Sequence, residues 1–248
     1  MSSSPWEQDM RMNRPERDAN KAHVALTLVL DVSGSMSYSP TGGAAPIDLL
    51  NDSINEMVGK MNADSRLNTI VDLSIFTFGA PGKENPYIGF MSIVDVAKDV
   101  GTIRLEANDG YTYIADVLKE AIEATRERAN SYRTAYKPWI VVISDGGFSD
   151  NPSALDEVGE MMKQRARDEK QNFFGFFVPE DTPQKIMQQR QQLEKFCLQE
   201  QAQIRVVDIK DAGNLPKLLE WIGRSMKKVS GTDPTQKAGI ENPSEIFV

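Results

Sequence analysis

Asp31, Ser33 and Ser35 alternate directly after an apolar run, and each carries side-chain oxygen. A carboxylate and two hydroxyls, spaced by single residues on a loop loosened by Gly34, can turn towards one point and share a hard cation. Two further oxygen donors lie far along the chain. Thr112 follows Gly110 and Tyr111, and Asp145 sits between Ser144 and Gly146. Hydroxyls and carboxylates without imidazole or thiolate suit Mg²⁺, Mn²⁺ or Ca²⁺. Zinc would need several Cys or His ligands, and the chain has one of each, His23 and Cys197. A Ser-His-acid hydrolase would have to recruit that same His23, and no G-x-S-x-G elbow is present.

These residues need elements to hold them. Val24 to Asp31 is apolar, partly β-branched and free of Pro and Gly, which predicts a central strand of a parallel sheet. Residues 38–45 read as a loop, and Pro46 suits the first turn of a helix. Ile47, Leu50, Ile54, Met57, Val58 and Met61 give that helix one apolar face. Ile70 to Gly79 and Tyr87 to Ile93 read as strands. The short link between them, 80–86, predicts an antiparallel pair. Residues 94–109 fit either a short helix or an irregular connection. Ile114, Val117, Leu118, Ala121, Ile122 and Thr125 predict a helix with Thr112 as its N-cap. Pro138 to Ser144 is another buried strand, ending at Asp145. A helix around Leu155, Val158, Met162 and Ala166 follows, with Asp150 expected at its N-cap or N′ position rather than as a ligand. A Phe-rich strand (Asn172 to Val178), a polar helix (183–200), a strand (Ile204 to Ile209) and a helix (Leu215 to Met226) complete the series. Asp109 reads as a loop carboxylate and Cys197 as a semi-buried bystander.

Strands alternating with helices predict a single doubly wound α/β domain, a mostly parallel sheet with helices on both faces. Its expected extent is residues 23–228. A flexible arm (1–22), which Trp6 and Met10 could dock, precedes it, and a C-terminal tail (229–248) follows. In such sheets ligands bind beyond the carboxyl ends of the strands. If the strands ending at Asp31 and Asp145 are neighbours, Asp31, Ser33, Ser35, Thr112 and Asp145 ring one crevice. The formal net charge of −8 and pI near 4.9 argue against nucleic acid or an anionic membrane as partner. One cysteine permits no intrachain disulfide, and no stretch has the length of a membrane span. The expected location is the cytoplasm.

Asp-x-Ser-x-Ser alone is common in loops. Joined to a Thr at a helix start and Ser-Asp-Gly after a second buried strand, it resembles the metal-ion-dependent adhesion site (MIDAS) of the von Willebrand factor A (vWA) domain. The resemblance spans residues 23–228. It implies a Rossmann-like six-stranded sheet of order 3-2-1-4-5-6 with strand 3 antiparallel. It implies Ser33, Ser35 and Thr112 as direct or switchable ligands, with Asp31 and Asp145 often acting through water. Tyr111 stands where the family usually has a second glycine, so the mouth of the site is narrowed or covered. The acidic character is similar to bacterial stand-alone domains of the tellurite-resistance (TerY-like) type. That likeness implies a stress-response or phage-defence setting, with a protein kinase or phosphatase partner. The function implied is a protein–protein interaction module without catalysis, in which a partner's Asp or Glu completes the coordination of the bound ion. The alternative is a Mg²⁺-dependent phosphotransferase with Asp31 as nucleophile, although Ser33 stands where such enzymes keep an acid. A third possibility places Glu241 or Glu245 of one molecule in the metal site of another.

Overall fold

β1 (Val24–Asp31) is buried along all eight residues, as the unbroken apolar run requires of a strand covered on both faces. It pairs in parallel with β2 (Val71–Phe78) on one side and β4 (Trp139–Ser144) on the other. β3 (Ile88–Ser92) runs antiparallel to β2 at one edge. β5 (Asn172–Phe177) and β6 (Val207–Asp208) extend the other side in parallel. The sheet order is β3-β2-β1-β4-β5-β6, the expected arrangement with its antiparallel third strand. The computed structural model describes residues 21–38, 43–79, 85–99, 101–168, 170–179, 183–196, 206–209, 212–235, 240 and 243. Trp6, Met10, Cys197, Glu241, Glu245 and residues 204–205 of the expected last strand lie outside that set.

Side chains of each strand alternate between two hydrophobic layers. Leu26, Leu28 and Leu30 of β1, with Trp139, Val141 and Ile143 of β4, face α1 (Pro46–Ala63) and a C-terminal helix, Leu215–Val229. Val29, Ile140 and Val142 face the opposite layer, built by α2 (Ala115–Asn130), α3 (Pro152–Arg167) and α4 (Pro183–Glu194). The C-terminal helix, α5, packs Trp221 against Phe174 at 5.1 Å and Trp139 at 6.0 Å between ring centroids. Thr27, a polar residue inside β1, meets Thr125 of α2 at 2.6 Å, so both buried hydroxyls are satisfied.

Several boundaries move from their expected places. Ile70 closes a one-turn helix (Leu67–Ile70) and β2 starts at Val71. Ile93 leaves β3 to open another turn (Ile93–Val96), capped by the Ser92 hydroxyl, which accepts from Asp95 N–H at 3.0 Å. From residue 101 to 107 the connection carries neither helix nor strand, and two asparagines of α1 hold it. Asn51 exchanges two hydrogen bonds with the Leu105 backbone (2.9 and 2.7 Å). Asn55 donates to Ile103 O at 3.0 Å and accepts from Gly101 N–H at 2.7 Å. At the far end of the sheet, Tyr136 O–H donates to the Ser230 and Thr232 carbonyls, 3.1 Å each. Ile240, within the expected tail, packs against the core. Among the described residues no helix is long and apolar enough to cross a membrane.

Candidate metal centre

Leu30 of β1 is in register with Ile143 of β4, so the two strands end side by side and deliver Asp31 next to Ser144 and Asp145. Asp31 is fully buried. Ser33 N–H donates to its Oδ1 at 2.9 Å and Ser144 O–H to its Oδ2 at 2.6 Å. Ser144 in turn accepts from Gly146 N–H at 2.9 Å. One hydroxyl therefore aims the Asp31 carboxylate and shapes the loop that carries Asp145. Asp145 itself accepts from Gly147 N–H at 3.0 Å.

The loop after β1 tightens into a 3₁₀ turn, Gly34–Ser37. Within it the Ser33 and Ser35 hydroxyls lie 3.0 Å apart, close enough to bind a common ion. Two backbone bonds fix the loop from outside: Val32 N–H donates to Phe78 O and Asn108 N–H to Val32 O, both at 2.9 Å. Gly79 follows Phe78 with φ +92°, and a Cβ there would come within 2.6 Å of Ser33 N. Only glycine combines that backbone with that approach. Asp109, read from sequence as a plain loop carboxylate, places Oδ1 only 2.5 Å from where a Cβ on Gly34 would sit. It lies directly against the Ser33–Ser35 turn.

Thr112 is buried between exposed Tyr111 and Tyr113. It is not the N-cap of α2, which begins at Ala115. Asp150 takes that role from across the chain, its two oxygens accepting from Ile114 and Ala115 N–H at 2.8 and 3.0 Å. Its own following helix, α3, is capped instead by Asn151. Thr112 is tied to the Asp145 loop: its N–H donates to Ser149 Oγ at 3.0 Å, and its carbonyl accepts from Ser149 N–H at 2.9 Å. Direct bonds thus join Asp31, Ser33, Ser35 and Ser144. Asp145 stands beside Asp31, and Thr112 is anchored to Ser149. Ser144, Ser149 and Asp150 are supports that spacing along the chain could not single out as such, because their partners lie more than thirty positions away.

The electrostatics fit a cation. Burial, and then the neighbouring charge of Asp145, push the Asp31 carboxyl up to about 7, against the pull of Ser144 and Ser33. Among the described residues no basic side chain acts on the Asp31 carboxyl. The contrast is Asp72, equally buried at the other end of β2, which takes Arg128 at 2.7 Å. Among the described residues no group of three or more His, Cys, Asp or Glu could hold a metal. The donors here are two carboxylates with the hydroxyls of Ser33 and Ser35, and Thr112 nearby in the same loop network. That set favours Mg²⁺, Mn²⁺ or Ca²⁺ over zinc.

Ser144→Ala should expose how much the supports matter. It strips the donor from Asp31 and the acceptor from Gly146 N–H, both buried, at a cost of about 2 kcal/mol in denaturant unfolding. Loss of a group that orients a ligand should also weaken Mn²⁺ binding by roughly tenfold or more in a calorimetric titration.

A protein-family model described as "von Willebrand factor type A domain" matches residues 25–221. No curated protein matches the chain as a relative. Among solved structures, the chain is similar to a von Willebrand factor type A protein from Catenulispora acidiphila. The two share 17% identity with a TM-score of 0.56, over 86% of this chain and 44% of that one. It is similar to the PilB minor pilin of Streptococcus sanguinis, at 12% identity and TM-score 0.56, covering 86% of this chain and 63% of that one. It is also similar to the pilus adhesin SpaC of Lactobacillus rhamnosus GG, at 13% identity and TM-score 0.61, covering 84% and 31%. The chain thus spans less than two thirds of the length of each of these proteins, and at such identities the likeness is one of fold.

Proposed function

The chain belongs to the von Willebrand factor type A domain family, and from that membership and the oxygen-rich crevice we propose that it is a metal-dependent protein-interaction module. The observation that carries this reading is the buried pair Asp31 and Asp145, with no base acting on Asp31 among the described residues, beside two hydroxyls 3.0 Å apart. Asp31, Ser33, Ser35, Thr112 and Asp145 form the MIDAS, and Mg²⁺, Mn²⁺ or Ca²⁺ bound there supplies a positive charge with an exchangeable position. Asp31 and Asp145 hold that charge, the hydroxyls of Ser33, Ser35 and Thr112 orient it, and an Asp or Glu of a partner protein fills the open position. A nucleophilic Asp31 is the weaker alternative. Both its oxygens already accept hydrogen bonds, and Ser33 cannot act as the acid two residues on. The setting we favour is a cytoplasmic bacterial stress-response or defence system of the TerY-like type, with a protein kinase or phosphatase as partner. It rests on the acidic, cysteine-poor composition.

The test begins with the ion. Wild-type protein should bind Mn²⁺ in a calorimetric titration, and Ser33→Ala and Thr112→Ala should weaken that binding by roughly tenfold or more while leaving the circular dichroism spectrum unchanged. Wild-type Mn²⁺ binding that survives both substitutions intact would overturn the assignment.

A further inference from the structure

The rim of the crevice is aromatic and acidic. Tyr111 and Tyr38 are the two most exposed large hydrophobic side chains among the described residues, at 70% and 65%, with Tyr113 at 54%. Tyr111 and Tyr113 flank Thr112, and their rings lie 5.8 Å apart. Tyr38 closes the turn that holds Ser33 and Ser35, its N–H donating to Ser35 O at 3.1 Å. Three large aromatic faces in water around one site mark a contact surface.

The loops that carry the site residues are acidic. Residues 31–38, 105–116 and 144–151 contain no Lys or Arg, the nearest bases along the chain being Arg104 and Lys119, and Arg190 of α4, which backs the Asp145 loop, is paired with Asp208 and Glu194. After a divalent ion has neutralised Asp31 and Asp145, exposed Asp109 remains against the Ser33–Ser35 turn. Exposed Asp116 sits in the first turn of α2, four residues past Thr112. A lone carboxylate approaching the ion therefore meets repulsion from the rim. Basic residues beside that carboxylate remove it, and tyrosine faces receive Arg or Lys well. A second copy of this chain, itself at net charge −8, is a poor occupant by the same reasoning.

We propose that the partner presents its Asp or Glu within a basic segment, the carboxylate filling the open position on the ion while flanking Arg or Lys side chains pack on Tyr111, Tyr113 and Tyr38 beside Asp109. This rests on the metal-dependent reading above and adds the chemistry of the partner. Selectivity then lies in the rim, because every carboxylate looks alike to the ion.

Short fluorescent peptides with one Asp, flanked by Arg, by Ala or by Glu, supply the probe in anisotropy titrations with Mg²⁺. The Arg-flanked peptide should bind roughly tenfold or more tighter than the Ala-flanked one, and the Glu-flanked peptide weakest. Changing its Asp to Asn, or adding EDTA, should abolish binding. Tyr111→Ala should weaken the Arg-flanked peptide about three- to tenfold and leave the Ala-flanked one nearly unchanged, with Mn²⁺ affinity intact in both proteins. Equal affinity for the Arg- and Ala-flanked peptides, no binding of either, or indifference to Tyr111→Ala overturns the basic-partner inference while EDTA-sensitive carboxylate binding leaves the metal reading standing. Arg-dependent binding that persists unchanged in EDTA overturns the metal reading instead.

Discussion

Asp31→Asn should raise the melting temperature of the metal-free protein at pH 8 and abolish the further rise that Mg²⁺ gives the native chain. Asp31 has a folded-state value near 7 against an ordinary 3.8, from burial first and Asp145 second. The folded state therefore keeps a proton that the unfolded chain has already released. Stability from this group is fully present below about 3.8 and is lost as pH rises through 7. With 1.36 kcal/mol per pKa unit, the penalty at pH 8 is on the order of 4 kcal/mol. An amide carries no charge, and it can still accept from Ser33 N–H while the Ser144 oxygen accepts from its NH₂. The gain corresponds to roughly 8–16 °C for a domain of this size. Scanning calorimetry in EDTA from pH 5 to pH 8 should show native stability falling with pH and the variant's falling less. A variant that melts with or below the native protein at pH 8 would sink the claim. On the metal-dependent function proposed above, the same substitution removes a charge the ion needs, so the native protein should gain from Mg²⁺ by mass action and the variant should not.

Gly79→Ala should be the most damaging single-methyl change near the site. The new Cβ would lie 2.6 Å from Ser33 N and 2.9 Å from Ser33 Cα, against backbone that has no free end to swing away. The φ of +92° adds strain for any L side chain. Together these cost on the order of 3 kcal/mol in urea unfolding. Relief can come only by pushing the Ser33 turn outward, which separates Ser33 from Asp31, so Mn²⁺ binding should fall with stability. Gly59→Ala is the control. A Cβ there meets nothing within 4 Å, so its stability should stay level or rise, because alanine suits a helix interior better.

The strands were legible because they announce themselves one at a time. β1, β4 and β5 are apolar on both faces, which marks them as buried parallel strands, but their order came only with the resemblance to the vWA family, since an apolar run does not say which strand lies beside it. Asp31, Ser33 and Ser35 were legible from spacing within a single loop. The supports were not, since Ser144 looks like the last residue of a strand until its partner across the sheet is known. Asp150 was legible only in part: it stands one place before the Asn151 cap of α3, within the expected positions, but its partners were not. A carboxylate just ahead of a helix suggests that it caps that helix, whereas here it caps α2 and leaves α3 to Asn151. Residues 94–109 carried no period at all. Their order comes from Asn51 and Asn55, side chains that stand in for a neighbouring strand.

The bonds at the far end of the sheet also bear on how this molecule should be mounted. His23 exchanges backbone hydrogen bonds with the segment ahead of β4, donating to Thr134 O and accepting from Tyr136 N–H, and Tyr136 holds the stretch after α5. His23 and the Ser230–Thr232 stretch therefore gather on the side opposite the crevice, separated from it by the eight residues of β1, about 26 Å at the rise of a strand. A linker joined just ahead of Lys21 points the Tyr111 rim into solution. A biosensor chip built that way presents every molecule with the Asp31–Asp145 crevice facing outward.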